Sequence, residues 1–184
     1  MRQVLREDLD NPSSLRGNSV YSLLIDDRHR VWTATNSGGL QYTETASSNV
    51  EHLVHRINNP QSLHNNEVNH IVTDSRGNLW IATNDGISLR DAHTHKWKQL
   101  YGGHQHVFLS MAIDKKGRIY AGTYSEGLYV LDEATGRELH HYTGCDGSIF
   151  GAGGFVFATY VDSQGDVWMG AVSYKHLTLP TTER

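Results

Sequence analysis

Four stretches decide the fold: VYSLLIDDRHRVWTAT at residues 20–35, VNHIVTDSRGNLWIAT at 68–83, FLSMAIDKKGRIYAGT at 108–123 and VFATYVDSQGDVWMGA at 156–171. They align without gaps at offsets of 48, 40 and 48 residues, and a period of that size is the mark of one supersecondary unit stacked on copies of itself. In every copy an aspartate (Asp26, Asp74, Asp114, Asp162) stands six positions before an aromatic residue (Trp32, Trp80, Tyr120, Trp168). The third residue after the aspartate is His29, Gly77, Gly117 or Gly165, where a hairpin turn wants left-handed backbone. His29 is therefore expected to carry some strain. The aspartate reads as a turn residue whose carboxylate takes backbone N–H groups just ahead of it. A general-acid role would require all four to face one shared pocket, which a turn position used once per repeat does not offer.

The aromatic residue is followed by a small one (Ala34, Ala82, Gly122, Gly170), then Thr35, Thr83 or Thr123, then Gly39-Leu40, Gly86-Ile87 or Gly127-Leu128, where a third strand starts. A looser fourth segment follows at 50–54, 97–100 and 138–142. The runs VWTA, LWIA, IYAG and VWMG are almost continuously apolar, as strands covered on both faces are. Four short strands in 40 to 48 residues, stacked face to face, describe the blade of a β-propeller. The fold class is all-β: an open arc of four-stranded antiparallel blades, about three complete and others partial. The small residue after each aromatic lets neighbouring blades approach, and the aromatics sit mid-strand, so they read as core between blades and not as a sugar-stacking ladder. The organisation expected is an outer strand and connector of a preceding blade at 1–18, blades at 19–57, 58–101 and 102–143, a partial blade at 144–172, and a non-native or disordered tail at 173–184. Truncated blades expose apolar faces, so the isolated chain is expected to be marginally folded or self-associating.

Composition agrees and excludes several classes. Eighteen glycines against three prolines in 184 residues favour many tight turns. The balance of 16 Lys+Arg against 20 Asp+Glu, with no basic run longer than Lys115-Lys116, gives no footprint for nucleic acid or an anionic membrane. Cys145 is the sole cysteine, which excludes an intrachain disulfide and a cysteine-rich zinc site. No apolar stretch is long enough to span a bilayer.

In such a blade the connector from the fourth strand to the next first strand, and the tight loop between the second and third strands, emerge on one face. That places Asn18, Asn66, His104 and His106 from connectors beside Asn36, Asn84, Asp85, Tyr124 and Glu126 from tight loops. Amides, carboxylates and an aromatic platform are the groups that bond and stack on sugars, so these residues are the candidate ligand-binding set; turn chemistry is the plainer reading of each asparagine. His93/His95 and His104/His106 would each point one way if they lay on strands, but no third ligand is placed by spacing, and no metal or other cofactor is expected. The glycine run at 151–154 lacks the Lys-Ser/Thr and helix of a phosphate loop and reads as a connector. No catalytic residue can be nominated.

The units NPSSLRGNSVYSLLIDDRHRVWTATNSGGL from Asn11 and NPQSLHNNEVNHIVTDSRGNLWIATNDGI from Asn59 resemble the two-component regulator propeller repeat, with shorter echoes in the third and fourth copies. The resemblance covers about residues 1 to 172. It implies a slice of the large periplasmic sensor region of a hybrid two-component histidine kinase, detecting polysaccharide fragments, dimeric in the parent and completed there by further blades. The kinase would lie outside this chain, so the segment itself is expected to be non-enzymatic and to make no direct membrane contact. Virginiamycin-B-lyase-like propellers share a similar turn, which keeps a metal-dependent enzyme open as an alternative, together with a protein-interaction scaffold.

Overall fold

The computed structural model describes residues 4–44, 49–103, 106–143 and 154–171 with their side chains, and the backbone of 177–179. The first blade consists of β1 (Val20–Ile25), β2 (Arg30–Thr35), β3 (Gly39–Glu44) and β4 (Glu51–Leu53); the second of β5 (Val68–Thr73), β6 (Leu79–Thr83), β7 (Gly86–Arg90) and β8 (Trp97–Leu100). The third holds β9 (Phe108–Ile113), β10 (Arg118–Thr123), β11 (Leu128–Asp132) and β12 (Glu138–Tyr142), and the fourth β13 (Val156–Val161), β14 (Val167–Ala171) and β15 (Leu177–Leu179). Each is an antiparallel sheet in sequence order. The first strands lie side by side along the arc, β1 against β5, β5 against β9 and β9 against β13.

The aspartate turn explains the six-residue spacing. In each copy Oδ1 accepts two backbone N–H groups, two and four residues on: Arg28 and Arg30 for Asp26, Arg76 and Asn78 for Asp74, Lys116 and Arg118 for Asp114, Gln164 and Asp166 for Asp162. Oδ2 takes the ring donor six residues on, the indole of Trp32, Trp80 or Trp168 at 2.8, 3.1 and 2.8 Å, or the hydroxyl of Tyr120 at 3.2 Å. One carboxylate thus closes the hairpin and fixes the aromatic rotamer. Burial works against the charge of Asp26 and Asp114, but the bonds from Trp32 and Arg30, and from Arg118, win and hold both carboxyls below the usual value. Burial and the neighbouring Asp114 push Tyr120 up to about 12. His29 has φ 58°, the left-handed conformation its turn position demands.

Burial follows the interfaces. Between the first two blades Trp32, Ala34 and Leu40 pack on Val68, Ile71, Leu79 and Ile81; the next interface sets Trp80, Ala82 and Ile87 against Phe108, Met111 and Ile119. At the third, a Cβ on Gly122 would stand 2.6 Å from the Val156 carbonyl oxygen, which is why that copy has glycine. The fourth aromatic departs from the expected inter-blade core: Trp32 and Trp80 are fully buried, whereas Trp168 is 46% exposed, because no described residue packs on that side of the last blade. At the opposite end Leu23 and Ile25 are exposed as well.

Three further differences from the sequence reading stand out. Residues 4–6 form no strand, and Glu7 makes only an isolated bridge to Leu15, because no third strand for them to pair with lies among the described residues. Within 173–184, the backbone of Leu177–Leu179 pairs with Val167, Trp168 and Met169 as a third strand. His93 and His95 belong to the turn between β7 and β8, with His95 at φ 58°, so they do not share a strand face. Each first strand also carries a bulge that nothing in the repeat pattern signals, leaving Tyr21, Asn69, Leu109 and Phe157 outside the ladder register.

Candidate functional site

Connectors and tight loops do meet on one face, clamped by two backbone bonds per blade. The tight loop donates back to its own blade's connector (Asn36 N–H to Ser19 O, 3.3 Å; Asn84 to Glu67, 3.1 Å; Tyr124 to Val107, 3.0 Å) and forward to the next (Gly39 to Asn66, 3.0 Å; Gly86 to His106, 2.8 Å; Gly127 to Gly154, 2.7 Å). The donating glycines need φ of +76° to +89°, and a Cβ on Gly86 would stand 2.5 Å from the Leu100 carbonyl.

On this scaffold the predicted residues separate into groups. Asn18 and Asn66 spend their Oδ1 atoms on the backbone N–H of Glu7 and His55, 3.0 and 2.7 Å away, closing the connectors. Asn84 is held between the Asn69 amide, 2.8 Å, and the Glu67 carboxylate. Asp85 accepts the Gly103 N–H at 3.1 Å and lies 3.6 Å from His64 Nε2. His106 Nδ1 pairs with the Glu126 carboxylate, on the same loop as Tyr124. Tyr124 is half exposed and meets Phe155 edge-on at 5.0 Å, with Phe157 at 6.4 Å. Asn36 is exposed at its loop tip. His104 and most of the glycine run at 151–154 lie outside the described residues.

The structure thus brings Asn66 with Asp85, and His106 with Tyr124 and Glu126, into local groups. Sequence reasoning missed His64, Glu67, Asn69, Phe155 and Phe157. Asn69 and Phe157 were hidden because only the bulge turns them toward this face, and His64 because its repeat equivalent is Arg16. Burial holds the His64 ring below the usual histidine value against the opposing pull of Asp85. Its Nδ1 is buried without a partner, and the ring presses on Gly102. Among the described residues no three His, Cys, Asp or Glu side chains gather as a metal site, and no helix is long and apolar enough to cross a membrane.

Four-stranded blades with first strands abreast, and connectors and tight loops collected on one face, define an arc of a β-propeller. A family model described as two component regulator propeller matches residues 14–37 and 62–85, each running from a connector through the aspartate turn to a tight loop. Among solved structures, the chain is similar to the extracellular domain of the putative hybrid two component system BT3049 from B. thetaiotaomicron (23% identity, TM-score 0.74, 90% of this chain and 23% of that one). It is also similar to the extracellular domain of the putative one component system BT4673 from the same organism (20% identity, TM-score 0.74, 92% of this chain and 25% of that one). The computationally designed Ika4 protein matches over nearly its whole length (17% identity, TM-score 0.64, 97% of this chain and 98% of that one). The chain spans about a quarter of the length of the two bacterial domains. No curated protein matches it by sequence.

Proposed function

We propose that this chain is a ligand-sensing stretch of a periplasmic propeller in a two-component sensor, recognising a carbohydrate on its connector face and signalling to a histidine kinase carried elsewhere in the parent. The observation that carries the reading is the face itself: rigidly clamped loops that present a half-exposed tyrosine, carboxylates, amides and histidines side by side. Groups that accept, donate and stack are what a hydroxylated ring with one apolar face requires. The likeness to extracellular domains of two- and one-component systems supports the compartment. In the parent, further blades would cover the apolar ends of the arc. The relay would be a shift between two packing arrangements of a homodimer, which a ligand drives only through unequal affinity for the two.

The test is titration of the purified chain against a panel of oligosaccharides, followed by Tyr124→Ala and Glu126→Ala. Tyr124 is exposed enough for its removal to leave the fold intact. A glycan that binds supports the reading, and a weakening of about tenfold by either change places a sugar unit at Tyr124; a panel without a binder removes the reading.

A further inference from the structure

Two open depressions adjoin on the connector face. One, of about 620 Å³, is lined by residues of the first connector, among them Asp8, Asn11 and Arg16. The other, of about 800 Å³, is lined by Arg56, Asn59, His64 and Glu67 of the second. Ser37, His55 and Asn66 belong to the walls of both, so the two lie side by side.

They are also the same structure made twice. In the first connector Glu7 N–H bonds Asn18 Oδ1, Asp8 N–H bonds Ser14 Oγ, and Ser13 N–H bonds Asn11 Oδ1, at 2.9 to 3.0 Å. Forty-eight residues later His55 N–H bonds Asn66 Oδ1, Arg56 N–H bonds Ser62 Oγ, and Gln61 N–H bonds Asn59 Oδ1, at 2.7 to 3.0 Å. Parallel bridges from Glu7 to Leu15 and from His55 to Leu63 close both loops, and each leucine is buried. A surface fold this tightly bonded is preformed, and binding to it costs little ordering entropy.

The lining says what fits. Asn11, Asn59 and Asn66 use their oxygens internally and carry Nδ2 hydrogens as further donors. Asp8, Glu67 and Asp85 alternate with these as acceptors, and Arg16 and Arg56 add one cation to each half. Donors and acceptors interleaved at close range match hydroxyl groups, which do both. A peptide would want a strand edge or apolar side-chain pockets, and the walls here are loop segments rich in polar groups.

We infer that the two depressions form one continuous trough that takes a linear oligosaccharide, with successive units in the first and second connector halves. The inference rests on the carbohydrate reading and adds where the chain lies and that length matters. Ser37 is an exposed residue at the junction, so Ser37→Trp should block passage between the halves without touching the core.

Calorimetric titrations of the full chain with disaccharides, tetrasaccharides and hexasaccharides from partially hydrolysed neutral and uronate-bearing polysaccharides provide the test. Affinity is expected to rise about tenfold or more with length. Ser37→Trp should abolish that gain while leaving the melting curve unchanged, and Ser37→Ala should preserve it. Length-independent glycan binding, or a gain that survives Ser37→Trp, overturns the trough and leaves the sensing reading standing. Binding of extended peptides in place of any glycan overturns both.

Discussion

Removing the Asp74 carboxylate should cost far more than removing its counterpart Asp162, although both make the same turn. Asp74→Ala strips acceptors from the N–H groups of Arg76 and Asn78, from Asn78 Nδ2 and from Trp80 Nε1. Trp80 is fully buried and Asn78 is nearly so, so water reaches neither. Each buried donor left without a partner costs about 1–3 kcal/mol; with Trp80 Nε1 and the Asn78 backbone N–H orphaned, the loss is about 2–6 kcal/mol. At roughly 2–4 °C per kcal/mol for a chain of this size, the melting midpoint should fall by about 4–24 °C. Around Asp162 the situation is reversed: Trp168 is 46% exposed, so water takes over its indole donor and Asp162→Ala should leave the midpoint near that of the unaltered chain. Circular-dichroism melts of both variants, repeated in urea, read the difference. Equal shifts for the two would refute the argument that burial of the donors, rather than turn closure itself, sets the value of the carboxylate.

Two further outcomes are expected. Gly102→Ala places a Cβ inside the His64 ring, so it should destabilise the chain, and His64→Ala in the same background should restore most of the loss; a double variant no better than the single would show that the strain lies elsewhere. Burial holds His64 and His70 below the usual value of 6.5, and His70 Nδ1 faces the Met111 N–H at 3.4 Å, a contact that a protonated ring forfeits. Between their folded values and 6.5 the unfolded chain binds more protons, so stability is full above that window and drains away as pH falls through it; urea midpoints from about pH 7 to about pH 5 should fall, less steeply in His64→Gln/His70→Gln, and an unaltered slope in that variant would sink the assignment.

The sequence carried the blade pattern well because its signals are local. An aspartate, a turn glycine and an aromatic within seven residues declare the hairpin, and His29 adopts the left-handed backbone its position implied. Why the spacing is six was not readable, since the indole-to-carboxylate bond depends on the curl of two strands around the turn. The bulges at Tyr21, Asn69, Leu109 and Phe157 were invisible for a related reason: those four side chains have nothing in common, and only the strand register betrays the extra residue. At the candidate site the connector asparagines were found by type, but their work as loop closers emerges only when an N–H eleven residues upstream arrives at each. His64 was passed over because a lone histidine in a polar loop carries no periodicity.

The aspartate turn has one more consequence. Its polar bonds begin and end inside a single blade, while the large apolar contacts run between blades. A unit whose aspartate turn is answered internally can be duplicated by unequal recombination without leaving an orphaned charge, its neighbours supplying apolar faces and the backbone clamps at the connectors. Such a module grows by copying, and its connectors, which carry no share of that internal wiring, are left at liberty to diverge: Arg56 in place of Asp8 and His64 in place of Arg16, in two loops that keep the same closing bonds, are a record of that liberty.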